Sequence, residues 1–131
     1  MEYDGHSRAQ SLVAVEMRES NAATHDGNAI DTVDFESLEF IFFTGAGSGD
    51  FDMQLQESDT GAFGGEENIV VADDIIGTQT TSSAPNELTQ VGYIGKKRYC
   101  RLTILATNSP FADLGAIAIL SRPRSMPVAD Q

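Results

Sequence analysis

The sequence predicts a single all-β domain, an antiparallel β-sandwich or barrel of about seven or eight strands with irregular arms at both ends. Three observations carry that expectation. Helical periodicity is weak, because no stretch keeps apolar residues at i, i+3, i+4 and i+7 over three turns. Glycines or turn-formers interrupt the apolar segments at roughly the 8–12-residue spacing typical of sandwiches and barrels. With 131 residues, 40% of them hydrophobic, the chain can fill one core but not two. The core domain is expected over residues 11–120, between an N-terminal arm (1–10) and a C-terminal arm (121–131) that carries two prolines and no apolar periodicity.

The elements follow in order. Ser11–Met17 (SLVAVEM) reads as a first strand, with Leu12, Val13 and Val15 supplying its apolar weight. Ser37–Thr44 (SLEFIFFT) is the strongest strand signal, aromatic and β-branched, and apolar on both faces after Glu39 as a central buried strand should be. Phe51–Glu57 alternates, with Phe51, Met53 and Leu55 on one face and Asp52, Gln54 and Gln56 on the other, so it reads as half-exposed. Gly45–Asp50 (GAGSGD) between these two predicts a tight turn and hence a hairpin over residues 37–57. Ser58–Glu67 is a polar glycine-rich loop, Asn68–Gly77 a short strand or a strand followed by a turn, and Gln79–Pro85 a linker-like loop.

Glu87–Ile94 and Lys97–Ala106 flank Gly95 and predict a second hairpin. In the later strand Arg98, Cys100, Leu102 and Ile104 share one face, and Lys97, Tyr99, Arg101 and Thr103 the other. Cys100 is therefore expected inward as a small hydrophobe, with no second cysteine to form an intramolecular disulfide. Leu114–Leu120 (LGAIAIL) reads as a final buried strand.

Charge narrows the function classes. The net charge is −12, from 20 acids and 8 cations. Residues 1–95 hold 2 cations and 18 acids, a net of −16; residues 96–131 hold 6 cations and 2 acids, a net of +4. This polarity has two readings: the C-terminal strands neutralise the acidic ones internally, or they form a basic strip that docks on an acidic partner. Nucleic acid is not expected as a partner, since phosphate binding needs clustered cations without a large acidic excess. Nor is a membrane, as no apolar run approaches the ~20 residues of a spanning helix. The N-terminus, MEYDGHSRAQ, lacks a charged-then-apolar signal pattern, so secretion by a cleaved signal is not expected.

Catalytic, cofactor and metal motifs fail in turn. His6 and His25 have no cysteine or second histidine at ligand spacing. Gly45–Gly49 (GAGSG) is not a nucleophile elbow, and Gly92–Lys96 (GYIGK) is too short for a phosphate-binding loop and lacks its hydroxyl residue. Asp50, Asp52 and Asp59 offer hard oxygens without the spacing of a calcium-binding EF-hand loop. No cofactor, metal or enzymatic activity is expected.

The segment Val91–Arg101 (VGYIGKKRYCR) stands apart, with two glycines, two tyrosines and four cations. Tyrosine and arginine are the residues most enriched at protein interfaces, whereas cations on an edge hairpin also serve to block unwanted strand pairing. The interface reading selects Tyr93, Lys96, Lys97, Arg98, Tyr99, Arg101, Arg122 and Arg124.

Several strings here resemble small virion proteins encoded beside the capsid genes of long-tailed bacteriophages. They are Gly49–Asp50–Phe51, Met53–Gln54–Leu55–Gln56–Glu57–Ser58–Asp59, Asp73–Asp74–Ile75–Ile76–Gly77, Val91–Tyr99 with Arg101, and Gly115–Leu120 followed by Arg122–Pro123–Arg124 and Pro127–Val128. The likeness spans about residues 36–128, and Phe63 stands in for the tryptophan expected after the Gln-Glu-Ser-Asp string. The resemblance implies a capsid decoration (cement) protein: non-enzymatic, located on the capsid exterior of the virion, bound to the major capsid protein and to itself as a homotrimer. Competing readings are a neck, tail or fibre-base component, and a carbohydrate-binding sandwich using Tyr3, Tyr93 and Tyr99 as exposed rings.

Overall fold

The computed structural model describes residues 9–21, 24–77, 82–83 and 86–123. Eight strands form one antiparallel sheet curled into a half-barrel, so the all-β expectation holds. The strands are β1 (Ala9–Asn21), β2 (His25–Asp26), β3 (Ile30–Asp31), β4 (Phe35–Ser58), β5 (Ile75–Ile76), β6 (Ser82–Ser83), β7 (Leu88–Tyr93) and β8 (Tyr99–Pro123). The main order is β1-β8-β4-β7-β5, with β2 and β3 also pairing β8 and β6 pairing β4. Among the described residues, strand structure runs from Ala9 to Pro123. The rest of both expected arms, residues 1–8 and 124–131, lies outside the described residues.

Two long bent strands organise the sheet. β4 has 24 residues and β8 has 25, and they pair along nearly their whole lengths, from Phe35↔Pro123 to Ser58↔Tyr99. The hairpin expected over residues 37–57 is therefore absent. Gly45–Asp50 does not reverse the chain; it bends it, and both halves of β4 stay on the same partner. Register shifts between Thr44 and Gly47 and between Ser48 and Asp50 mark the corner, where Gly47 (φ 145°) and Gly49 (φ 99°) take backbone conformations that side chains disfavour. Leu114–Leu120 is likewise the second half of β8, not a separate strand.

The bend brings the inner faces of the two halves onto one core. Phe40, Phe42, Leu114, Ala116, Ala118 and Leu120 come from the part of the sheet where the first half of β4 pairs the second half of β8, and Phe51, Met53, Leu55, Cys100, Leu102 and Ile104 from the part where the remaining halves pair, all buried. The Phe42 and Phe51 rings meet edge to face with centroids 6.5 Å apart, closing the corner. Each fully buried Phe, Leu or Ile side chain among these contributes about 1.5–3 kcal/mol of transfer free energy. Cys100, Leu102 and Ile104 lie inward as their alternation predicts.

Backbone contacts also cross the core. Gly27 N–H donates to the Leu102 carbonyl at 2.8 Å and Asn28 N–H to the Ala14 carbonyl at 2.7 Å, so this dipeptide joins β1 to the far half of β8. A Cβ at Gly27 would strike both carbonyl oxygens. The buried polar side chains are satisfied: Thr44 Oγ1 accepts Glu87 N–H, Ser58 Oγ accepts from Thr60 and Gly61, and Thr103 Oγ1 donates to Asp26.

Candidate interaction surface

The second expected hairpin is also absent. β7 pairs β4 through Leu38↔Tyr93 to Phe43↔Leu88, while β8 lies on the other edge of β4. Residues Ile94–Arg98 therefore run from the Leu38 end of β4, where β7 stops, to its Ser58 end, where β8 starts, bridging the two halves of the bent sheet.

Polar contacts fix this crossover along its length. Ile94 N–H donates to the Asp74 carbonyl at 2.8 Å. The Tyr93 hydroxyl donates to Glu57 Oε1 at 2.6 Å and accepts the Lys97 N–H at 3.1 Å. At the far end the Arg98 carbonyl accepts both Thr32 N–H (2.8 Å) and Thr32 Oγ1 (2.7 Å). Gly95 lies so close to the Tyr93 ring that any Cβ there would collide with it. Burial and the neighbouring Glu57 carboxylate push the Tyr93 phenol well above its ordinary value, so it stays protonated.

The sequence-selected residues have distinct surroundings. Tyr93 is only 4% exposed. Lys97 Nζ pairs with Asp59 Oδ2 at 2.9 Å, and Asp59 raises the lysine's pKa. Arg98 makes a bidentate pair with Asp31, at 2.9 Å from Nε and 2.8 Å from Nη2. That guanidinium, through its hydrogen bonds, holds the Asp31 carboxyl below the usual carboxylate range. It also lies 5.1 Å above the ring of half-buried Tyr99. Arg122 approaches Glu36 at 3.9 Å. Lys96 is exposed and makes no ion pair among the described residues. Arg124 lies outside the described residues, as does Tyr3.

Arg101 is the most enclosed of these cations, its side chain 18% exposed. Nε donates to Gln56 Oε1 at 2.8 Å, Nη2 reaches the Phe63 carbonyl at 3.4 Å, and Asp26 Oδ1 lies 3.7 Å away. Its guanidinium sits 4.5 Å over the Phe63 ring, the aromatic that follows the Gln-Glu-Ser-Asp string. Arg101 thus fastens the 58–67 loop to β4 and β2.

In the four ion pairs seen among the described residues, every cation comes from residues 96–131 and every acid from residues 1–95. The two oppositely charged segments of the chain neutralise each other here. Beside the crossover lies an open depression of about 430 Å³, lined by Thr32, Val33, Glu36, Asp59 and Lys96 among others, with charges of both signs on its rim. Cys100 is enclosed, and burial pushes its thiol pKa up, away from nucleophilic use. Among the described residues no group of three or more His, Cys, Asp or Glu is placed to hold a metal, and no helix is long and apolar enough to cross a membrane.

No protein-family model matches the chain, and no curated protein matches it. Among solved structures, the SPBc2 prophage-derived protein YomS is similar over 87% of this chain and 93% of its own, with 11% identity and a TM-score of 0.53. At that identity the likeness is one of fold: both chains are built on the same all-β architecture. PirA (11% identity, 93% of this chain and 99% of that one, TM-score 0.40) shares less of the architecture. So does the infectious bursal disease virus Gx strain structure (11% identity, 92% of this chain and 34% of that one, TM-score 0.43).

Proposed function

We propose that this chain is a non-enzymatic structural protein of a phage virion, binding the outside of the capsid and stabilising it by bridging capsid subunits. The observation that carries the reading is the role of the residues that resemble the phage family. Tyr93, Gly95, Lys97, Arg98 and Arg101 hold a crossover and a loop in place, which is architectural work. A fold shared with a prophage-derived protein accords with a phage setting. In this reading the acidic excess keeps a densely covered particle soluble, and assembly as a trimer adds stability to a small domain.

Quantitative mass spectrometry of purified particles tests it. Hundreds of copies per particle are expected. A ring of about six to twelve copies would point instead to a neck or tail component, and absence from the shell exterior by cryo-electron microscopy would remove the reading.

A further inference from the structure

The two outer faces of the curled sheet differ in chemistry. Around the second half of β4, the outward residues Asp52, Gln54 and Gln56 are polar. Around the first half they are apolar, and the pairing register aligns them across strands. Val13 of β1 stands opposite Ile117 of β8, which stands opposite Ile41 of β4. In the next row Gly115 stands opposite Phe43, which stands opposite Leu88 of β7. Met17 completes this row, its sulfur lying over Gly115, where a side chain would displace both Met17 and Phe43.

These side chains do not belong to the core. Val13 is 53% exposed, Met17 69% and Leu88 63%, while Ile41, Phe43 and Ile117 are half-buried. Contiguous apolar rows, one across three strands up to exposed Gln90 of β7 and the next across four, are what a binding face presents, whereas isolated exposed apolar residues are ordinary. Among the residues whose side chains are described, the charged groups flanking the rows are acidic. Glu39 pairs Ile119 at one end, and Asp113, two residues before Gly115, is exposed at the other.

We infer that this outer face docks a protein surface whose apolar centre is ringed by lysine or arginine. Charge selects that occupant over a second copy. Two copies meeting through this face would bring their Glu39 and Asp113 carboxylates together, each on a chain of net charge −12, whereas a basic rim complements them. The inference rests on the proposed function only in naming the capsid as the bearer of that surface.

The test uses the full chain and the double variant Val13→Lys/Leu88→Lys, which alters two residues more than half exposed, with Gln54→Lys on the polar outer face as control. The first measurement titrates an amphipathic leucine–lysine peptide while recording amide shifts. Shifts centred on Val13, Ile41 and Ile117, weakened at least about tenfold in the double variant only, are expected. Shifts spread over the acidic surface, or centred on Gly95–Arg98, would overturn the inference. The second measurement rebinds each protein to particles stripped of it, again with a loss of about tenfold or more expected for the double variant alone. Undiminished rebinding by that variant would overturn the inference and leave the capsid role standing. Docking of the peptide at this face without rebinding of the wild type would remove the capsid role and leave the face standing. A wild-type oligomer that the double variant dissociates in sedimentation would assign the face to a second copy and overturn the inference.

Discussion

The Tyr93 hydroxyl donates to Glu57 Oε1 at 2.6 Å and accepts the Lys97 N–H at 3.1 Å, so a single phenol joins β7, β4 and the crossover. Tyr93→Phe leaves the ring in place and removes both bonds. A loss of about 1–3 kcal/mol in urea unfolding at neutral pH is expected. The wild type should also lose stability as pH rises past the ordinary tyrosine range, near pH 10. There the unfolded chain releases the proton that the folded phenol retains, so unfolding becomes favoured with increasing pH. Tyr93→Phe should flatten that alkaline limb. Whatever dependence the buried Cys100 thiol adds should persist in Tyr93→Phe and disappear in Cys100→Ala.

Phe42 closes the corner of the half-barrel against Phe51 and is fully buried. Phe42→Ala is expected to cost about 3–5 kcal/mol by chemical denaturation, since the two rigid halves of the sheet collapse little around the cavity.

Gly27 has no room for a side chain between the carbonyls of Leu102 and Ala14. Gly27→Ala is expected to lower stability by about 1–3 kcal/mol, as overpacking does elsewhere. The weakened region should appear as faster hydrogen exchange at Gly27 and Asn28, whose amides bridge β1 and β8.

Lys96 and Arg101 differ in surroundings more than in charge. Lys96→Glu should leave the thermal midpoint unchanged, because that ammonium is exposed and without an ion pair among the described residues. Arg101→Glu sets a carboxylate against Asp26, Gln56 Oε1 and the Phe63 carbonyl, and a loss of about 1–3 kcal/mol is expected. Equal midpoints for the two variants would count against the clamp assigned to Arg101.

Much of the fold was legible because alternation is local. Phe51, Met53 and Leu55 could be assigned inward from seven residues of sequence, and so could Cys100, Leu102 and Ile104. The two hairpins were illegible for a physical reason. A glycine-rich string such as Gly45–Asp50 suits a reversal and a bulged bend equally, and what decides is a partner of 25 residues, long enough to follow both halves of β4. Gly95 likewise marks a break between strands but not whether those strands are neighbours. Apolarity on both faces of Ser37–Thr44 suggested full burial, yet Ile41 and Phe43 are half-exposed on an outer face. The cations of residues 96–101 were visible in the sequence, whereas their acidic partners come from segments 38 to 75 residues earlier and only the topology unites them.

β1, β2, β3 and β4 all pair with β8, the last strand of the described chain. During synthesis these segments have no completed sheet to join until residues 99–123 leave the ribosome. Closing such distant pairs costs loop entropy before any contact returns it, which places this domain among slow, non-local folders. A nascent chain stopped before Tyr99 would expose the aromatic faces of β4 with their main partner missing. Timing of translation, as much as the finished contacts, therefore bears on how much of this protein reaches its native state.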